Sequence, residues 1–180
     1  MEQVQLNDKL FEKNISADRI AIAVSDTAKA IKAAAGDETV LFVVVLSGAF
    51  IFASDLMRAY TGNCEVGFIK VSSYDGVQTT GDVQTKMGLD VDLKDRFVVL
   101  VEDIVDTGNT IASLISMLSD SQVSELKIAS LFLKPDVYKK DIPIDFVGME
   151  IANEFIVGYG LDYNGLGRNL KHIYKLKENA

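Results

Sequence analysis

Val98-Val99-Leu100-Val101-Glu102-Asp103-Ile104-Val105-Asp106-Thr107-Gly108-Asn109-Thr110 is an apolar run that ends in two adjacent carboxylates. A third carboxylate follows three residues on, and then a small-polar-glycine turn. Phe97 to Val101 has the β-branched and aromatic content of a strand buried on both faces, which belongs to a parallel sheet covered by helices. Helical spacing resumes from Thr110 to Leu118. In open α/β sheets ligands bind beyond the carboxyl ends of the strands. The free N–H groups of the turn and of the helix start make an anion site, most naturally for phosphate. Gly108 lets the backbone approach closely, and the Thr107 and Thr110 hydroxyls add donors. Carboxylates so near a phosphate make sense if Glu102 and Asp103 meet neutral hydroxyls or a cation, with Asp106 kept for proton transfer.

The flanking sequence repeats the strand–helix alternation. From Ser16 to Ala35 the residues Ile20, Val24, Ala28, Ile31 and Ala35 recur mostly at helical steps, with Ser16 placed to cap the helix and Gly36 to end it. Val40 to Leu46 reads as a second doubly buried strand. Gly48 punctuates it, and helical spacing resumes over Phe50 to Tyr60. Further strands are expected over Val66 to Val71 and Lys127 to Leu133. Short strands and turns are expected from Pro135 through Pro143 to Ile173. Between Ser72 and Gly88 the apolar residues give way to Ser, Thr, Asp, Gly and Gln. A loop of roughly 15 residues is longer than most connections, and such loops are usually functional; this one reads as a mobile lid. The alternation gives an α/β fold with a mostly parallel sheet flanked by helices.

Composition narrows the function classes. The 180 residues, 48% of them hydrophobic, suffice for one globular domain and exclude a disordered chain. A single cysteine, Cys64, excludes a disulfide scaffold and reads as a small apolar residue; a single histidine, His172, excludes a histidine-cluster metal site and reads as a surface residue. No apolar run approaches the ~20 residues of a membrane span, and Met1-Glu2-Gln3 starts nothing like a signal peptide. A net charge of −8 argues against a broad nucleic-acid footprint. These features predict a cytoplasmic protein with no nucleic-acid or membrane partner.

The 98–110 segment resembles the signature of the phosphoribosyltransferases that use 5-phosphoribosyl-1-pyrophosphate, and the resemblance to the hypoxanthine-guanine branch extends over most of Val40 to Leu170. Leu46-Ser47-Gly48-Ala49-Phe50 is similar to the family's pyrophosphate loop. Ser73-Tyr74 with Thr80-Gly81-Asp82 is similar to its mobile active-site loop. Lys134 and Phe155-Ile156-Val157-Gly158-Tyr159-Gly160-Leu161-Asp162-Tyr163 with Arg168 are similar to its purine-binding segment.

The resemblance implies a type I phosphoribosyltransferase domain over residues 1–180. Its core would span about 36–134, and a small purine-binding hood would form from about 135–180 with the N-terminal segment. It implies purine salvage: transfer of phosphoribosyl to N9 of hypoxanthine or guanine, with IMP or GMP and pyrophosphate as products and Mg2+ as cofactor. The backbone and hydroxyls of Asp106, Thr107, Gly108, Asn109 and Thr110 would hold the 5-phosphate. Glu102 and Asp103 would sit beside the ribose hydroxyls, directly or through magnesium. Asp106 would take the proton from purine N7. Leu46, Ser47 and Gly48, through a non-proline cis peptide, and Arg168 would bind pyrophosphate. Phe155 would stack on the purine, Lys134 would donate to its 6-oxygen, the backbone around Ile156 and Asp162 would read the remaining edge, and Asp162 would help hold magnesium. Relatives are commonly dimers or tetramers, and Ala49 to Tyr60 offers an apolar interface. Ser47 stands where many relatives carry lysine, and Asn109 where lysine or another long residue is frequent. Gly165-Leu166-Gly167 replaces a bulkier stretch, which bears on how firmly Arg168 is held.

Three other readings compete. Asp106-Thr107-Gly108 also occurs as the catalytic triplet of aspartic proteases, but there in an all-β barrel facing a second aspartate. Three carboxylates and a helix start can be no more than a solvated strand end. A regulatory protein that senses phosphoribosyl pyrophosphate and binds nucleic acid needs a basic face, and the chain has no cationic cluster larger than Lys171 to Lys177.

Overall fold

The computed structural model describes residues 2–72, 84–87, 89 and 91–177. In chain order the elements are β1 (Gln3–Leu6), β2 (Lys9–Ile15), α1 (Ala17–Ala35), β3 (Val40–Leu46), α2 (Phe50–Ala59), β4 (Cys64–Ser72) and β5 (Gln84–Met87). There follow β6 (Phe97–Val105), α3 (Asn109–Leu118), β7 (Glu125–Leu133), β8 (Phe146–Glu150), β9 (Ile156–Val157) and β10 (Ile173–Leu176).

α1 forms where the spacing predicts it, burying Ile20, Val24, Ala28, Ile31 and Ala35 along one stripe. Ser16 Oγ accepts the Arg19 N–H at 3.3 Å, and Gly36, at φ 57°, closes the far end by donating to the Lys32 carbonyl. Such a cap contributes ~1 kcal/mol, whereas each fully buried aliphatic side chain contributes ~1.5–3 kcal/mol. The apolar stripe therefore fixes the helix, and the caps trim its ends. The N–H of Ala17 donates to His172 Nδ1 at 2.8 Å. His172 is thus a half-buried cap for α1, not a surface residue. Cys64 also departs from expectation, being exposed at the start of β4.

The main sheet has the order β5-β4-β3-β6-β7-β8, parallel throughout except for the antiparallel β4–β5 pair. Alternation along β3 explains its unbroken apolar run. Phe42 and Val44 pack with residues of α1 and α2, while Leu41, Val43 and Val45 pack with Ile111, Leu114 and Leu118 of α3. From β3 the chain steps outward to β4 and later returns to β6 on the other side. That reversal opens a crevice beyond the carboxyl ends of β3 and β6. The segments leaving those two ends are 46–49 and 106–108.

A second, antiparallel sheet in the order β1-β2-β10-β9 joins segments from near both ends of the chain. Phe11, Val157 and Tyr174 are buried in its small core.

Several boundaries differ from expectation. β6 runs to Val105, four residues past the apolar run, because parallel pairing with β7 continues through Val105↔Leu133. The β1–β2 hairpin, with its mixed polar and apolar residues, gave no sequence signal. Within the expected 72–88 loop, Gln84–Met87 is a strand held by main-chain pairing to β4. The mobile-loop residues Ser73 and Tyr74, and Thr80-Gly81-Asp82, lie outside the described residues.

Candidate active site

At the switch point the two loops touch. Asp103 on β6 presses against the segment after β3, and a Cβ built on Gly48 would stand 1.5 Å from Asp103 Oδ2. Only a residue without a side chain lets this carboxylate in. Gly48→Ala is therefore expected to displace Asp103, destabilising the protein by about 1–3 kcal/mol through overpacking. Activity should fall by up to ~10²-fold through misplacement. Thermal melting and steady-state rates check both, and an alanine protein with normal stability and turnover would refute this packing. The Leu46–Ser47 peptide is cis, as the resemblance implies.

Around this contact lies a cleft of about 300 Å³. Gly48 lines it from the β3 side, and Asp103 and Asp106 from the β6 side. Lys134 comes from the end of β7, and Phe155, Ile156, Asp162 and Arg168 from the segment on either side of β9. Eight predicted site residues thus converge from sequence positions 48 to 168. Thr107, Gly108, Asn109 and Thr110 adjoin it at the start of α3. That helix begins after Gly108, at φ 80°, with no side-chain cap and no acid in its first turn. Its leading N–H groups thus have no capping side chain, which suits an anion.

Lys134 is buried, 7% exposed, at the inner end of the cleft. Its ammonium donates to Asp106 Oδ2 at 2.9 Å and to Asn153 Oδ1 at 3.3 Å. An ammonium has three donors, so one is left for a ligand. Phe155 is 46% exposed. It is backed by Phe11 and Tyr163 at ring separations of 6.1 and 5.9 Å, with Lys9 Nζ 5.8 Å from its centroid. A supported but open aromatic face of this kind is suited to stacking.

Arg168 is firmly held despite Gly165-Leu166-Gly167. Its guanidinium donates to the Gly160 carbonyl at 2.6 Å and pairs with Asp162 Oδ1 at 2.5 Å. The turn itself is closed by paired Tyr163 and Leu166 main-chain bonds, and Asp162 Oδ2 accepts the Gly165 N–H at 2.7 Å. Of five guanidinium donors, three remain available.

The carboxylates of β6 are perturbed. Burial pushes Glu102 well above the usual carboxylate range, and the neighbouring Asp103 charge pushes it the same way. Asp103 is pushed up to about 6, chiefly by burial, against the opposing pull of main-chain N–H groups and Arg168. Asp103 lines the cleft; Glu102, the next residue on the strand, does not. Glu102 Oε2 is buried with no hydrogen-bond partner among the described residues. Such an acceptor suits a cation or a hydroxyl.

The resemblance assigns Glu102, Asp103 and Asp162 to magnesium; among the described residues no group of three such ligands gathers at one point. Of the three, Asp103 and Asp162 line the cleft, and Asp162 already binds Arg168 and Gly165. Magnesium needs only one or two carboxylates when substrate phosphates complete its shell, so Asp103 and Glu102 still fit it.

Some participants escaped the sequence reading. Glu154, Ile104 and Leu161 line the cleft, and Asn153 orients Lys134. For Asn153 and Glu154 the available signal was their position immediately before the purine-binding segment.

A switch-point crevice with an uncapped helix N-terminus, two perturbed carboxylates and a lysine–aspartate pair agrees with the phosphoribosyltransferase class, which comparison with known proteins establishes. The family model described as "Phosphoribosyl transferase domain" matches residues 13–164. A hypoxanthine-guanine phosphoribosyltransferase of Staphylococcus epidermidis is 39% identical over 142 residues, which cover 78% of this chain and 79% of that protein. Its Staphylococcus aureus counterpart is 40% identical over 136 residues, covering 75% and 76%. A crystal structure of a hypoxanthine-guanine phosphoribosyltransferase from Bacillus anthracis, with a HEPES molecule in its active site, superposes with a TM-score of 0.86. Its identity is 34%, and the match covers 93% of this chain and 97% of that one. The chain belongs to the hypoxanthine-guanine phosphoribosyltransferase family.

Proposed function

We propose that the chain transfers the 5-phosphoribosyl group of 5-phosphoribosyl-1-pyrophosphate to N9 of hypoxanthine or guanine, releasing pyrophosphate and IMP or GMP. The observation that carries this reading is the contact between Lys134 Nζ and Asp106 Oδ2, 2.9 Å apart beside Phe155. A 6-oxopurine carries an acceptor oxygen at C6 and, next to it, an N7–H donor. The ammonium donates to the oxygen, Asp106 takes the N7 proton as N9 forms its new bond, and Phe155 stacks on the ring. Main-chain groups around Ile156 and Asp162 read the opposite edge.

The 5-phosphate rests on the N–H groups of Asp106 to Thr110 and on the two threonine hydroxyls. Leu46, Ser47 and Gly48, with the free donors of Arg168, receive pyrophosphate. Positive charge grows on the ribose as the leaving group departs, and the Asp103 carboxylate, which lines the cleft, stabilises it. Asp103 and Glu102, together with the substrate, would hold a magnesium ion, which would supply charge neutralisation and orientation for the leaving pyrophosphate. EDTA is accordingly expected to abolish nucleotide formation and added magnesium to restore it. Unchanged turnover without divalent metal would sink this part of the account.

The regulatory reading is not favoured, since the named relatives are enzymes. No described helix is long and apolar enough to cross a membrane. We take the working form to be a homodimer or homotetramer built on the exposed face of α2, where Phe50 is 45% exposed.

A further inference from the structure

The purine segment and the pyrophosphate loop belong to different sheets, yet the reaction needs base, ribose carbon and leaving group in line. We propose that Tyr159, through its hydroxyl bond to Asp55, is a positioning residue that sets the purine-binding segment against the pyrophosphate loop. The inference rests on the proposed function.

Asp55 stands in α2, which begins directly after the 46–49 loop. Tyr159 stands between Phe155 and Asp162. Its hydroxyl donates to Asp55 Oδ2 at 2.6 Å across 104 residues of sequence. Next to it, Gly160 lies so close to the loop that a Cβ there would stand 2.2 Å from the Gly48 carbonyl oxygen. Two adjacent residues of the purine segment thus engage the loop and the helix leaving it.

The backbone is shaped for this contact. Tyr159 sits at φ 48°, in the left-handed region that bulky side chains avoid. Its N–H donates to the Leu170 carbonyl at 2.8 Å, and the next N–H, of Gly160, to Arg168 at 3.0 Å. An aromatic residue in this conformation sends its backbone to Gly48 while its side chain reaches α2. Outliers of this kind persist where the surroundings over-determine them, often at functional sites.

The environment favours the bond. Tyr159 is 9% exposed, and the pair borders a cavity of about 360 Å³ lined by Ile20, Ile51 and Leu170 and by the polar Asn169 and Lys171. Withdrawal of the tyrosine hydroxyl from water strengthens its hydrogen bond to the carboxylate. Burial, and then the bond to Asp55, hold the Tyr159 hydroxyl protonated, far above its ordinary range. The ring also packs in the main core, but packing alone does not call for the hydroxyl.

The test is a double-mutant cycle of Tyr159→Phe and Asp55→Ala, read by the single-turnover rate of IMP formation with Mg2+. Rates are normalised to sites that bind IMP by calorimetry, so that loss of folded protein does not count. Each single variant is expected to lose about 10-fold in rate, with IMP affinity within about 3-fold of wild type because each subsite is intact. The double variant should lose no more than either single one. Asp55→Asn keeps an acceptor oxygen and should retain most of the rate, and it remains informative if the tyrosine variant folds poorly. Unchanged rates in both single variants, multiplicative losses, IMP affinity falling in step with rate, or an asparagine variant as slow as the alanine would each overturn the proposal. A wild-type protein that makes neither IMP nor GMP overturns the proposed function itself, and this inference with it; one that makes only GMP is assayed with guanine and GMP instead.

Discussion

The Asp106→Asn protein is expected to turn over about 10²–10⁴-fold more slowly than wild type, the usual worth of a positioned general base. Asparagine keeps the shape of the side chain, and its amide oxygen can still accept from Lys134, which now donates to Asp106 Oδ2 at 2.9 Å. What it cannot do is take a proton from purine N7. The loss should therefore appear in kcat, with smaller changes in KM for both substrates. Some weakening of purine binding is also expected, because Lys134, 7% exposed, loses its carboxylate partner. Steady-state kinetics at saturating magnesium decide the matter. A wild-type kcat would show that N7 loses its proton by another route.

Adenine is expected to be at least ~10²-fold poorer than hypoxanthine in kcat/KM. The ammonium of Lys134 has donors and no acceptor, and two of its donors are committed to Asp106 and Asn153. Hypoxanthine and guanine offer the third an oxygen. Adenine offers an amino group, so two donors would face each other in a closed site. A buried group left unpaired costs about 1–3 kcal/mol, and more when charged. Sites built around one such bond reject the mismatched analogue by as much as ~10⁴-fold. Replacing Lys134 with Met removes the donor at similar length, and should lower activity on 6-oxopurines and narrow the gap to adenine. If the methionine protein keeps full discrimination, Lys134 does not read the 6-position.

Both predictions concern residues that were legible in the sequence, and for Asp106 the reason is local. Asp103, Asp106 and the start of α3 lie within one strand–turn–helix unit, so a contiguous pattern carries them, whereas Lys134, just past the end of β7, is legible only through the family resemblance. β3 was equally legible, since a strand buried on both faces is apolar at every position. The hairpin of β1 and β2 was not. Its mixed polar and apolar residues suit a small sheet whose core is little more than Phe11, Val157 and Tyr174, and so it resembles a loop in sequence. β5, with Gln84, Thr85 and Lys86, was hidden for a similar reason: its order comes from main-chain pairing to β4.

The remaining omissions are long-range. Asn153 meets Lys134 across 19 residues, His172 caps α1 from 155 residues away, and Tyr159 reaches Asp55 across 104. No spacing rule links such pairs, because the topology alone brings them together. The three carboxylates that the resemblance assigns to magnesium are spread out: Asp103 and Asp162 line the cleft while Glu102 does not, and Asp162 already pairs with Arg168.

The most direct test of the account is product analysis with the purified wild-type protein, 5-phosphoribosyl-1-pyrophosphate, magnesium and each of hypoxanthine, guanine and adenine. The account predicts IMP and GMP, each with one equivalent of pyrophosphate, and almost no AMP. AMP formed as readily as IMP, or pyrophosphate released with no nucleotide, would contradict it.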